Sequence, residues 1–329
     1  MAPKTISVIG GLDYDLIMIA NRIPTGGESL LANEKPVDVQ EATVTKTTVE
    51  QDGEAKATTA SSLAQHRIPD NADDELEINV RMVGAVGDDK YGERFYADLN
   101  KNGIDSSGVI TVPNTQSSIC FVMVENDTRE NRCLFTLGAT ATWKKEHFLT
   151  DGVFREVVEQ MIETAGKAGI DFCLNAAPAN PITKGTYRHI THLLVNKSEA
   201  AVMSGRNLDE VNHDTWPTIC QEFLNKGVKN VVITLGTKGA YYATSGARGY
   251  CPAYEIKVVD TTGAGDTFTG AYASDYLCQK ETGQWDIRRA VVRANKAAAL
   301  AITKMGAQKG IPWADEIDAF NAPVNELGV

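Results

Sequence analysis

This sequence predicts an α/β fold in which a parallel sheet lies between helix layers and a small β flap rests on the body. Three observations carry the prediction. Apolar, β-branched runs recur along the chain at TISVIG (5–10), VRMVGAVG (80–87), IDFCLNA (170–176), HLLVN (192–196) and NVVITLG (230–236). Helix-patterned stretches separate or follow them: 90–103, 155–169, 214–227, 266–280 and 285–306. A third texture, at 104–136, alternates apolar and polar residues and carries Asn-Asp and Asn-Thr turn signals. Near-continuous apolar strands divided by helices are those of a parallel sheet covered on both faces. Alternation with a period of two suits antiparallel strands outside it, with one face wet.

The chain opens on the 5–10 strand. Residues 12–33 share the texture of 104–136, so these two early segments (about 12–35 and 104–136) form the flap. The rest of 1–329 builds one α/β body. Residues 34–60 are rich in Thr, Glu and Lys with no glycine turn before Gly53, and RIPDNADDELE (67–77) reads as an exposed loop. His189 and His192 stand three apart with no third ligand nearby, which suits a surface helix better than a metal site. The six cysteines are scattered without a CxxC pair, as reduced thiols of a cytosolic protein are. No apolar run approaches the length of about 18 residues that a membrane helix needs. A formal charge of −11 argues against nucleic acid as the main partner, since its phosphates call for Lys and Arg. A small phosphorylated ligand needs only a local donor cluster. The opening residues show no signal or transit pattern. The cytoplasm is therefore the expected compartment, with the nucleus the other one open to it.

The chemistry concentrates in VVDTTGAGDTFT (258–269). A strand is expected to end near Asp260, Gly263-Ala264-Gly265 to turn the chain, and a helix to run from Thr267 to Cys278. Two positions without a Cβ let backbone approach a ligand closely. A helix N-terminus offers unpaired amides and the positive end of its dipole to an anion. Asp266 sits oddly there for plain anion binding. As an N-cap it is worth about 1 kcal/mol. As a base it takes a proton from a hydroxyl while the amides hold the charge on a transferred phosphoryl group. On these residues alone both readings are open. No GxxxxGK[ST] occurs and no GxGxxG follows the first strand, which excludes a P-loop kinase and a nicotinamide enzyme.

DTTGAGDTFTGA (260–271) resembles the C-terminal signature of the ribokinase-like carbohydrate kinases, the PfkB family. SVIGGLDYDL (7–16) with IPTGGESLLAN (23–33) resembles the family's opening strand and flap, and VRMVGAVGDDKYGERF (80–95) its second segment. LNAAPA (174–179) is similar to a strand end deep in the sheet, VNKSEA (195–200) to the N-x-x-E motif, and VVITLGTKGAYY (231–242) to the T-L-G-x-x-G nucleotide loop. ANKAAALAITKMGAQKGIPW (294–313) resembles the C-terminal helix and following loop. The matches cover most of the chain in family order. They imply a ribokinase-like, Rossmann-type three-layer sandwich with a small β-sheet lid. The implied activity is that of an ATP-dependent sugar kinase, acting on D-ribose at O5 or on a near relative.

The resemblance also implies residue roles. Asp266 is the base, and Gly263, Ala264 and Gly265 form the anion hole. Asn196, Thr234, Leu235, Gly236, Thr237, Lys238, Gly239, Gly265 and Asn295 bind ATP, while Asp13, Asp15 and Asp266 contact the sugar. Glu199 organises Mg2+ through water, as suits a hard cation that keeps much of its hydration. Asp260, Thr262, Ala301, Gly306 and Gly310 match the surroundings of a monovalent-cation site, so K+ is an expected activator. Gly310 stands where bacterial ribokinases have Ser. A homodimer through the lid is implied as well.

The sugar side departs from the family pattern. Where ribokinases present G-G-K-G-A-N, the nearest segment is GEAKATTASSLA (53–64), which keeps Lys56 but has Glu54-Ala55 for paired glycines and Thr59 for Asn. It comes after an insertion within 34–52. The family's Asn in the opening motif is Asp13 here, and Asp15 is retained. Between GATATW (138–143) and FCLNAAPA a strand ending in a sugar-contacting Glu is missing. Either the pocket is remodelled for another sugar, a nucleoside or a specialised metabolite, or the exon boundaries of an ordinary sugar kinase are misplaced. A catalytically weak nucleotide-binding homologue is the alternative from outside the enzyme class.

Overall fold

The run Ile78–Gly87 forms β4, the middle strand of a parallel three-stranded sheet with β1 (Lys4–Ile9) and β5 (Asp105–Val112) on its flanks. Ile78, Val80, Met82, Ala85 and Val86 of β4 are buried, as a strand covered on both faces requires. The computed structural model describes residues 4–26, 28, 50–53, 60–64, 78–125, 131–144, 151–177 and 179–325. These divide into two units. The first comprises Met1–Trp143, Ile256–Gly270 and Ala297–Ala319; the second comprises Lys144–Glu255, Ala271–Lys296 and Phe320–Val329.

In the first unit Asp89 caps helix α1 (Lys90–Lys101), accepting from the amides of Tyr91 and Gly92 at 3.1 and 2.9 Å. Phe95 and Leu99, four residues apart, bury its inner stripe. A separate four-stranded sheet has the order β3-β2-β6-β7, built from β2 (Asp13–Ala20), β3 (Glu50–Gly53), β6 (Ser118–Glu125) and β7 (Asn131–Thr136). Strands β2 and β6 run parallel with Asp13 opposite Ser118, and the two outer pairs are antiparallel. Cys120, Val122 and Val124 are buried, whereas the register partners Phe121 and Leu134 stay 40% and 70% exposed.

This corrects the assignment of all of 104–136 to the flap. Residues 105–112 pair in parallel with β4, and only β6 and β7 join the four-stranded sheet. Strand β5 alternates because it is an edge strand with a wet face, on which Ile110 is exposed. The flap's remaining strand, β3, comes from within 34–60.

The second unit holds a five-stranded sheet in the order β12-β11-β10-β9-β8. Strands β8 (Cys173–Asn175), β9 (His192–Asn196) and β10 (Asn230–Thr234) are parallel; β11 (Ala240–Thr244) and β12 (Arg248–Cys251) continue it antiparallel. Helices α2 (Asp151–Lys167), α3 (Lys197–Ser204) and α4 (Trp216–Asn225) belong to this unit, and Ile219, Cys220 and Phe223 of α4 join Leu193, Val231 and Ile233 in its core. Helix α5 (Ala264–Thr282) begins in the first unit and α6 (Ile287–Ala301) ends in it, followed by α7 (Ala314–Ala319). His192 opens β9 and is buried, and His189 lies in a 3-10 turn, so the surface-helix reading of the pair is overturned. The His192 ring meets those of Tyr272, Tyr276 and Trp285 edge-on, with its Nδ1 2.9 Å from the Tyr272 hydroxyl.

Where the sequence predicts one parallel sheet, the described residues form two. The reason lies in 137–172, where the chain forms a 3-10 turn (Gly138–Lys144) and α2 but no strand among the described residues. Residues 145–150 lie outside them. Strands β1 and β8 are therefore edges of their sheets, and Ile9 and Cys173 are exposed.

Candidate active site

The chain leading to the glycine turn is not the ladder strand expected to end near Asp260. Val259 and Asp260 both donate their amides to the Ile302 carbonyl, at 2.8 and 3.3 Å. The Asp260 side chain is 1% exposed and shapes the turn after it. Its Oδ1 accepts from the amide and hydroxyl of Thr262 at 2.9 and 2.7 Å, and its Oδ2 from the Gly306 amide at 2.9 Å. Gly263 then takes φ +75°, and a Cβ there would lie 2.9 Å from Ala307 Cα, so glycine is required. Helix α5 starts at Ala264, and the Thr267 amide bonds the Gly263 carbonyl at 2.8 Å. Gly263 therefore occupies the cap position and Asp266 the first turn, which removes the N-cap reading of Asp266. At Gly265 a Cβ would meet nothing within 4 Å, so the backbone beside Asp266 faces open space.

Residues 60–64 are helical and buried, and they pack on the same helix. The Ser62 hydroxyl donates to the Thr267 carbonyl at 3.2 Å, and a Cβ at Gly270 would lie 2.3 Å from Ser62 Oγ. The tail of the G-G-K-G-A-N-like segment is thus brought against α5 beside Asp266. Lys56, Thr59 and the rest of 54–59 lie outside the described residues. In the flap sheet the Ser118 hydroxyl contacts both Asp13 Oδ1 and the Thr136 carbonyl. Asp15 lies two residues further on, opposite Cys120 in register. Near the expected cation site Ala301 and Gly306 are buried, and a Cβ at Gly310 would sit 2.4 Å from the Ala301 carbonyl oxygen. The backbone leaves no room there for serine.

The remaining site residues belong to the second unit. Asn196 ends β9 and caps α3. Its Oδ1 accepts from the Glu199 amide at 2.8 Å, while the Glu199 carboxylate accepts from the Asn196 amide (2.7 Å) and side-chain amide (2.8 Å). The N-x-x-E pair is a capping box, fixed at the C-terminal end of a parallel strand, where α/β sheets bind ligands. Glu199 offers one carboxylate whose oxygens already accept hydrogen bonds. Such a donor fits a hydrated Mg2+ better than a directly ligated ion.

Strand β10 ends at Thr234, and the Leu235 amide closes the next loop on the Gly239 carbonyl at 2.8 Å. Gly236 and Gly239 take φ +59° and +99°, and a Cβ at Gly239 would lie 2.1 Å from the Cys251 carbonyl oxygen. The Lys238 and Gly239 amides bond the Leu235 and Gly236 carbonyls; those of Gly236 and Thr237 have no acceptor among the described residues. Two free amides on a glycine-rich turn are suited to a phosphate or a hydroxyl. Asn295 donates its side-chain amide to the carbonyls of Cys251 and Pro252 at 3.3 and 3.4 Å.

Sequence reasoning missed Ser62 and Ser118. Their partners are 205 and 105 residues away, and no local pattern marks them.

The chain was compared with known proteins. The family model described as pfkB family carbohydrate kinase matches residues 40–314. A ribokinase of Schizosaccharomyces pombe is 28% identical, the alignment covering 97% of this chain and 99% of the relative. A deoxyribokinase of Salmonella typhi is 29% identical, with 96% and 97% covered. Among solved structures, the ribokinase of Thermotoga maritima has a TM-score of 0.71 at 26% identity, covering 96% of this chain and 98% of its own. The Arabidopsis thaliana ribokinase complexed with ribose and ATP has a TM-score of 0.74 at 23% identity, with 98% and 100% covered, a likeness of fold alone. No helix among the described residues is long and apolar enough to cross a membrane. With the family model matching well over half its length, across both the glycine–aspartate turn and the capping box, the chain belongs to the pfkB family of carbohydrate kinases.

Proposed function

We propose that this kinase transfers the terminal phosphoryl group of ATP to O5 of D-ribose or a closely related pentose. The observation that supports it most is Asp266 in the first turn of α5, behind a glycine turn that leaves the backbone open at Gly265. The Asp266 carboxylate takes the proton of the primary hydroxyl. The alcohol oxygen then bonds to the terminal phosphorus as the bond from phosphorus to the ADP oxygen breaks. Amides of Gly263, Ala264 and Gly265, at the positive end of α5, hold the charge on the transferred group, that of Ala264 exchanging its 3.3 Å bond to the Thr261 carbonyl for it. Asp13 and Asp15, acceptors only when ionised, suit sugar hydroxyls, which donate.

The nucleotide falls to Thr234–Gly239, Asn196 and Asn295. Glu199 holds Mg2+ through water, and the ion supplies neutralising charge among the phosphates. K+ activation, through Asp260, Thr262, Ala301, Gly306 and Gly310, is part of this reading. So are a single kinase domain over 1–329 and a cytoplasmic setting. A homodimer through the flap is supported by the exposed apolar pair Phe121 and Leu134.

A coupled ADP-release assay over pentoses, hexoses and nucleosides tests the proposal. Ribose is expected to be the best substrate, and Asp266→Asn to lower kcat by about 10²–10⁴. Sugar-dependent turnover that survives Asp266→Asn defeats the assignment of the base. Absence of turnover on every sugar defeats the kinase reading.

A further inference from the structure

Beyond α7 the segment Phe320–Asn325 runs along Ala253–Glu255. The Glu255 amide donates to the Pro323 carbonyl at 2.8 Å, and the Asn325 amide to the Ala253 carbonyl at 2.7 Å. These two bonds frame an antiparallel bridge between Tyr254 and Val324. Phe320 stands edge-on to Tyr254 with ring centroids 5.1 Å apart, and its carbonyl accepts from the Lys296 ammonium at 2.9 Å. The segment is therefore tied down at both ends. From that position the Asn325 side-chain amide donates to the Thr237 carbonyl at 3.2 Å.

Thr237 is the middle residue of the Gly236–Lys238 turn, and the next carbonyl, that of Lys238, accepts from the Tyr250 hydroxyl. The Thr237 and Lys238 carbonyls are thus held by donors from outside the turn, one from Phe320–Asn325 and one from β12, while the Gly236 carbonyl accepts from the Gly239 amide. The Gly236 and Thr237 amides have no acceptor among the described residues. A turn bracketed by two positive-φ glycines has little stiffness of its own, so external hydrogen bonds decide how well those amides are aimed.

We propose that Phe320–Asn325 is a strap that fixes the nucleotide loop, with Asn325 as a positioning residue for a bound nucleoside triphosphate. It acts through the Thr237 carbonyl. The inference rests on the reading of Thr234–Gly239 as the nucleotide loop. Holding the loop in its binding shape beforehand lowers the ordering cost of binding, so the strap acts on nucleotide affinity and not on proton transfer.

The test is isothermal titration of ADP into the full-length chain, run beside steady-state kinetics. Asn325→Ala removes the Thr237 contact, Asn325→Pro also removes the amide that bonds Ala253, and Asn325→Gln retains a side-chain amide. Loss of one neutral hydrogen bond corresponds to about five-fold weaker ADP binding in Asn325→Ala. The loss is larger in Asn325→Pro, and Asn325→Gln recovers affinity. KM for ATP rises by the same factor while kcat and the sugar KM hold. Equal ADP affinity in the wild type and the Ala and Pro variants overturns the proposal. So does a fall of ADP affinity, sugar affinity and melting temperature together, which marks general loosening. A wild type that binds ADP but phosphorylates no sugar defeats the kinase reading, and the strap is still decided by the four affinities. A wild type that binds no ADP overturns both.

Discussion

Two single-methyl substitutions separate packing from chemistry in the turn that leads into Asp266. Gly263 holds φ +75°, and a methyl there would lie 2.9 and 3.0 Å from Ala307 Cα and Cβ, which are fixed in the chain. Gly263→Ala therefore adds left-handed strain of about 1–2 kcal/mol and overpacking of about 1–3 kcal/mol, or roughly 2–5 kcal/mol together. Gly265 is not in the positive-φ region, and a methyl there meets no protein atom within 4 Å. As a residue of the first turn of α5, Gly265→Ala gains up to about 0.5–1 kcal/mol of helix propensity. Stability falls in the first variant and holds or rises in the second. Activity obeys the opposite logic. The added methyl at 265 fills space beside Asp266 where the transferred phosphoryl group is proposed to sit, so kcat/KM falls about ten-fold or more, the equivalent of ~1–3 kcal/mol of overpacking. Urea melts monitored by circular dichroism give the stabilities, and ADP release with ribose gives the activities. A Gly265→Ala variant as unstable as Gly263→Ala refutes the packing argument, and one with full turnover refutes the placement of the phosphoryl group.

Two further outcomes concern buried polar groups. Asp260→Ala removes the acceptor for three hydrogen bonds that shape the same turn. With about 1.5–3 kcal/mol per bond to a charge and incomplete additivity, the loss is about 3–6 kcal/mol; a melting temperature equal to the wild type's contradicts it. His192→Gln keeps a polar partner for Tyr272 and tests the acid limb of stability. Burial pushes the His192 pKa down to about 3 from 6.5, against the pull of Asp171. The unfolded chain thus binds a proton that the folded one refuses. The stabilisation is complete above pH 6.5 and is lost as pH falls toward 3, at up to about 1.4 kcal/mol per pH unit. Burial also works against the Asp171 carboxylate, but hydrogen bonds from Lys280 and Tyr276 outweigh it and hold its pKa at about 2. Asp171 therefore costs stability only below about pH 4. Between pH 6.5 and 4 the stability of His192→Gln should fall less steeply than the wild type's; parallel slopes in urea melts at pH 7, 5.5 and 4.5 would sink the argument.

The strands at 80–87, 192–196 and 230–234 were legible in the sequence because most of their residues are apolar and buried, with polar residues such as Arg81, His192, Asn196 and Asn230 few and mostly at the ends. The glycine turn was legible because a left-handed φ and a close backbone approach leave only glycine. Strand β5 was not, because period-two alternation reports whether one face is wet, not which sheet a strand joins. The run Lys257–Val259 looks like a strand because Val258 and Val259 are β-branched, yet the amides of Val259 and Asp260 go to a helix-end carbonyl, Ile302. Asn196 and Glu199 were legible as a motif, and the same three-residue spacing at a helix start is that of a capping box. His192 was misread because its aromatic neighbours lie 80 or more residues away.

The break in the parallel sheet bears on the two halves of the proposed reaction unequally. With no strand among the described residues of 137–172, β1 and β8 are edges of their sheets, and Ile9 and Cys173 on them are exposed to water. Hydrated edge groups avoid the penalty of buried, unpaired ones, so each sheet can exist without the strand. The hydrogen bonds that shape the turn before Asp266 come from other parts of the chain. Ile302, Gly306 and Thr262 shape it, and Ser62 anchors the helix beyond it. On the proposed reading the proton-removing turn is shaped apart from the break, and the departure from the family pattern at the strand-end Glu falls on the sugar side. On the proposed reading, recognition of the sugar then rests on the flap, where Ser118 steadies the Asp13 carboxylate from the neighbouring strand. One carboxylate from the sheet is lost, and at Asp13 the family's amide is replaced by another. On that reading the number of carboxylates facing the sugar is kept while one moves from the body of the fold to its flap, where an acceptor-only group stands in place of an amide that both donates and accepts.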